Sequence, residues 1–147
     1  MIIVLLDANV WVSAFLNPYG YPAKLIVLWL EDKFQVVLSP QILNEIRSVL
    51  HRPHIKNKYK IQNHEIDRFI YLLIQRGLIV FPSGKLKLCR DRRDDHLLEA
   101  SLLSKAKYLV TRDDDVKRDI NLIAEMKKQN INVMSVSKFL KKFSKEG

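Results

Sequence analysis

The chain has 147 residues, 48% of them hydrophobic, with four glycines and five prolines, which suits one compact domain with a single core. A net charge of +9 favours a polyanionic partner, nucleic acid before membrane. The single cysteine, Cys89, excludes an intrachain disulfide and any cysteine-based zinc spacing, and no apolar run approaches the roughly 20 residues a membrane span needs. The apolar N-terminus is too short for a signal peptide, so the chain reads as soluble and cytoplasmic.

Ile2 to Leu6 is a continuous apolar run, as expected of a strand buried on both faces of a parallel sheet. Asp7 then falls at or just past the carboxyl end of that strand, where open α/β sheets bind ligands. It could equally cap the next helix, and the two roles are compatible. Val10 to Phe15 predicts a short helix, and Pro22 to about Leu30 a second. Phe34 to Leu38 predicts another buried strand. Ser39-Pro40 starts a helix whose apolar face is Ile42, Leu43, Ile46, Val49 and Leu50. Glu45 borders that face and is expected to turn toward the core margin.

His51 to Lys60 is basic and irregular, and reads as a loop that touches phosphates or is simply solvated. Glu65 to Arg76 is an amphipathic helix with Ile66, Phe69, Ile70, Leu73 and Ile74 on one stripe. Leu78 to Phe81 predicts a short strand. A helix is expected from Asp94 or nearby to about Ala106, with Asp95, Leu98, Leu102 and Ala106 on its inner stripe and Glu99 beside Asp95. Tyr108 to Thr111 predicts a strand, followed by a helix from Val116 to Lys128, a strand from Ile131 to Met134, and a terminal helix capped by Ser135 or Ser137. Strand–helix alternation argues a parallel sheet sandwiched by helices. The whole of 1–147 is then one α/β domain, with its core about 2–134 and a C-terminal helix about 135–145.

The acids are unevenly placed. The window from Asp91 to Asp115 holds seven of the chain's sixteen carboxylates. Like charges this close are unfavourable unless a cation offsets them, and Mg²⁺ is the simple offset for clustered oxygen donors. Arg90, Arg92, Arg93 and Arg112 flank these acids and are the candidate phosphate contacts.

With Asp7-Ala8-Asn9, Glu45, Asp95-His96-Leu97-Leu98-Glu99-Ala100 and Thr111-Arg112-Asp113 in this order, the chain resembles the PIN-domain family of metal-dependent nucleases. It looks most like the prokaryotic branch known as toxin components of type II toxin–antitoxin pairs, on phrases such as D-A-N-V-W-V-S-A-F and Y-L-V-T-R-D-D-D. The resemblance implies a single α/β/α PIN-like domain and an endoribonuclease cutting single-stranded RNA. It implies one or two Mg²⁺ or Mn²⁺ ions on Asp7, Glu45, Asp95 and Asp113, with Asn9 or Thr111 orienting Asp7 or a water. Asp94, Glu99 and Asp115 are the candidate outer acids, because neighbouring carboxylates leave the liganding member of each cluster open. A cognate antitoxin and a homodimer are the implied partners. The main alternative is a nucleic-acid-binding protein of this fold that does not cleave. A phosphoacceptor fold is disfavoured by Asn9, which stands where a second Asp is common, and a dinucleotide fold by the lack of G-x-G-x-x-G.

Overall fold

The computed structural model describes residues 1–89, 92–112 and 120–146, with the side chains of Arg92, Arg93 and residues 144–146 excepted. Five strands form one sheet, β1 Ile3–Leu6, β2 Gln35–Leu38, β3 Leu78–Ile79, β4 Tyr108–Thr111 and β5 Asn132–Ser135. Their order is β3-β2-β1-β4-β5 and every pairing is parallel. In β1, Val4, Leu5 and Leu6 are all fully buried, so the unbroken apolar run lies at the centre with both faces covered.

The described helices are α1 Ala8–Leu16, α2 Tyr21–Leu30, α3 Pro40–Leu50, α4 Pro53–Tyr59, α5 Asn63–Arg76, α6 Arg92–Ser104, α7 Ile120–Lys128 and α8 Val136–Glu146. They flank the sheet. Trp11, Trp29, Phe15 and Phe69 interlock edge-on or tilted between α1, α2 and α5. Phe34, Tyr108, Phe139 and Phe143 form a second aromatic group that seats α8. Ser135 caps α8, its Oγ accepting from the Lys138 N–H at 3.2 Å.

Four expectations are corrected. Residues 51–60 are not an irregular loop, because Pro53 opens the short helix α4, which Lys60 closes in the left-handed region at φ 52°. Leu102 is not on the inner stripe of α6, being 38% exposed, and Ile74 of α5 is 47% exposed. The buried face of α6 instead includes Ser101 and Ser104, whose hydroxyls donate to the carbonyls of Leu97 at 2.9 Å and Ala100 at 2.8 Å. Satisfied by the turn before them, these serines pack as small residues, which a count of apolar positions cannot register. Glu45, finally, is exposed. It sits beside the buried Ile46 but turns outward.

Strand order reverses between β1 and β4. From β1 the chain moves to β2 and β3 on one side, then returns to place β4 and β5 on the other. The carboxyl ends of β1 and β4 are therefore the switch point of the sheet, the place where doubly wound sheets take their ligands.

Candidate active site

Asp7 follows β1 directly at this switch point. Its N–H donates to the Val110 carbonyl at 3.1 Å, so the pairing of β1 with β4 continues through it. Its side chain does not cap α1, although its carbonyl accepts from the Val10 N–H at 2.9 Å. Asp7 is thus the N-cap of α1 by position, and its backbone carbonyl starts the helix. Asn9, in the first turn of α1, is half-buried.

On the neighbouring strand, Thr111 is the buried last residue of β4, and the half-buried Arg112 follows it. The Thr111 hydroxyl donates to the Arg112 carbonyl at 3.3 Å. Asp113 and Asp115 lie outside the described residues, as does Arg90. Chain order puts Asp113 two residues beyond the end of β4.

Asp95 is only 6% exposed, in the first turn of α6. The helix precedes the parallel strand β4, so it runs antiparallel to the sheet and begins near the carboxyl edge that Asp7 occupies. It packs against β1 and β2. A carboxylate in this turn is favoured by the helix dipole. Two backbone amides also hold it, with the N–H groups of Leu88 and Cys89 donating to Oδ1 at 3.0 and 2.7 Å. The half-buried Asp94 stands beside it. The Cys89 thiol is pushed up to about 12 by burial first, then by its hydrogen bond to Asp95 and the nearby negative charge. It stays a neutral thiol. Burial holds His96 below its ordinary value, and its buried Nδ1 has no hydrogen-bond partner among the described residues.

Glu99 lies one turn beyond Asp95 on the same side of α6. It accepts from the N–H groups of Ser83 at 2.6 Å and Gly84 at 3.3 Å, which lowers its pKa despite partial desolvation. Asp95 and Glu99 thus pin the strandless segment 83–89 onto α6 from one side of the helix, one turn apart. The sequence carried no signal for these amide partners, since any residue supplies a backbone N–H. Ser83, Lys85, Leu86, Glu99, Leu102 and Leu103 line an open pocket of about 460 Å³ to which none of the four candidate ligands contributes.

The fourth carboxylate, Glu45, is placed by β2 and α3. Ser39, fully buried, accepts from the Ile42 N–H at 3.2 Å and fixes where α3 starts. Glu45 follows in the second turn, exposed, on a helix that packs against α1. Among the described residues no three His, Cys, Asp or Glu side chains are close enough to hold an ion together. The described candidates, Asp7, Glu45 and Asp95, nevertheless all offer carboxylate oxygens. Such hard donors suit Mg²⁺ or Mn²⁺ and not a thiolate-preferring metal.

A five-stranded parallel sheet with Asp7 just beyond its central strand defines a class of α/β protein, and the family can be named. A family model described as PIN domain matches residues 3–115, and the chain belongs to that family. The chain is 30% identical to the uncharacterised protein MJ1680 of Methanocaldococcus jannaschii, over 97% of this chain and 92% of that protein. Its fold is similar to that in the structure of VapBC2 from Rickettsia felis bound to a DNA fragment from their promoter. There the TM-score is 0.56 at 17% identity, covering 91% of this chain and 98% of that one. PIN domains are typically nucleases that use divalent metals, and the chain is read within that general class. No described helix is long and apolar enough to cross a membrane.

Proposed function

We propose that the protein is a metal-dependent endoribonuclease that hydrolyses phosphodiester bonds of single-stranded RNA. The observation that carries this reading is the position of Asp7 at the end of β1, registered against β4 where the strand order reverses. Asp7, Glu45, Asp95 and Asp113 would hold one or two Mg²⁺ or Mn²⁺ ions. The bound cation would activate water and neutralise charge on the scissile phosphate. The chain's own contribution is to hold acids that repel one another at one edge. The strand positions Asp7, and two amides fix one Asp95 oxygen. Arg112, with Arg90, Arg92 and Arg93 near it in sequence, would contact the phosphates.

The same sequence phrases support a cytoplasmic toxin acting with an antitoxin, and a homodimeric assembly. RNA as substrate, as opposed to DNA, rests on the family resemblance, because positive charge does not distinguish the two. Cleavage of a single-stranded RNA in Mg²⁺ or Mn²⁺, abolished by a chelator and restored by added metal, tests the reading. Cleavage that persists in excess chelator contradicts it.

A further inference from the structure

The carboxylate edge accounts for the acids but leaves a long acid-free cationic stretch without a task. Residues 46–64 contain no Asp or Glu, yet carry five Lys or Arg and three of the four histidines. Their centre is α4, which has no buried residue and packs against α3 alone among the stronger contacts. Arg52, Lys56 and Lys60 follow one another at four-residue spacing, so neighbouring cations repel along one side of the helix. Among the described residues no salt bridge reaches any of them. Lys56 is held by the Asn63 side chain, a neutral partner.

Seven residues are too few to form a stable helix by themselves. With no residue fully buried, only Ile55 packed in part against the core, and like charges following one another, the fold gains little from cations gathered here. A polyanion supplies a reason for them. The other lysine-rich helix differs, since on α8 Lys142 lies over the Tyr108 ring, 5.2 Å from its centroid, and serves the fold.

Resting on the nuclease reading, we infer that α4 and the adjoining end of α3 are a docking surface for the phosphate backbone of single-stranded RNA beyond the carboxylate site. Glu45 and Arg47 share α3 and are both exposed, and His51 lies one turn past Arg47. The helix that carries a candidate metal ligand therefore leads directly to Arg52, Lys58 and Lys60. Tyr59, 42% exposed with the Lys58 ammonium 5.4 Å from its ring centroid, offers a face on which a base can stack.

Binding is measured on the full chain in EDTA, where no cleavage occurs. The readout is fluorescence anisotropy of a labelled oligouridylate of about 12 nucleotides. The triple variant Arg52→Gln, Lys58→Gln, Lys60→Gln is compared with Lys33→Gln, Lys107→Gln, Lys127→Gln. The second triple removes equal charge from exposed sites near the amino ends of β2, β4 and β5. Thermal melts establish that both fold. The α4 triple is expected to weaken binding at least about tenfold and to flatten the log–log salt dependence by about 2, with the control triple close to wild type. Equal weakening by both triples, or by neither, overturns the inference. So does unchanged RNA binding with lost binding of polyglutamate, which would assign α4 to an acidic protein. Metal-dependent cleavage without α4-dependent binding defeats the docking surface alone. Docking without cleavage defeats only the nuclease reading.

Discussion

The N–H of Asp7 donates to the carbonyl of Val110 at 3.1 Å, although Asp7 has already left β1. One hydrogen bond therefore fixes the height of the first candidate ligand relative to the strand that leads to Asp113. The acid is held by backbone pairing, so replacing its side chain changes chemistry at the site with little effect on the sheet. Asp7→Asn is expected to melt within a few degrees of wild type, because the amide is nearly isosteric and the N–H remains.

Asp95 is the opposite case. Its Oδ1 accepts from two amides, and bonds to a charged acceptor are worth about 1.5–3 kcal/mol each. Asp95→Ala should destabilise the protein by about 2–4 kcal/mol in chemical denaturation. It should also speed amide exchange at Leu88 and Cys89. Slow exchange retained at both amides would show that the segment is held by something else.

Ser39 sets the start of α3 and so the position of Glu45. Ser39→Ala should cost about 1 kcal/mol by equilibrium unfolding, whereas Ser39→Asp, another good cap in isolation, would also have to be buried at a fully enclosed site and should cost more.

Gly77 links α5 to β3 and admits no side chain. A Cβ there would lie 2.4 Å from Leu38 Cδ1 and 2.8 Å from the Leu73 carbonyl oxygen. The backbone φ of −83° is ordinary, so the restriction is one of space. Gly77→Ala should cost about 1–3 kcal/mol in thermal or urea unfolding.

Glu99 links stability to pH. Its pKa is depressed by the Ser83 and Gly84 amides, so its contribution is full above the ordinary glutamate value and fades as pH falls through the lowered one. The stability difference between wild type and Glu99→Gln should therefore be present at neutral pH and shrink in acid. A difference that grows on acidification would contradict this assignment.

The fold was legible where burial and periodicity agree. The run Ile2 to Leu6 announced a central strand, and the Ser39-Pro40 start of α3 came out as read. Legibility failed where neighbours decide the outcome. α4 buries no residue fully and sets only Ile55 against the core, so it gives no apolar period and reads as a loop. Ser101 and Ser104 spend their polarity on their own helix and hide the inner face of α6. At the site, chain order gave Asp7 and Asp95 their places at strand and helix ends. It could not show that amides from 88–89 hold Asp95, or that Glu99 serves the segment 83–84. The outward turn of Glu45 was also hidden, because a border position on a helix is compatible with either direction.

The central claim is that Asp7 and its companion acids make a metal-dependent cutting site. The most direct measurement is cleavage of a labelled single-stranded RNA in Mn²⁺ by wild type and Asp7→Asn, at equal concentration and with matched melting curves. The expected result is cleavage by wild type and a loss of at least about a hundredfold in the variant, given what metal activation contributes to such reactions. RNA left intact by wild type in Mn²⁺, or cut equally by Asp7→Asn, would contradict it.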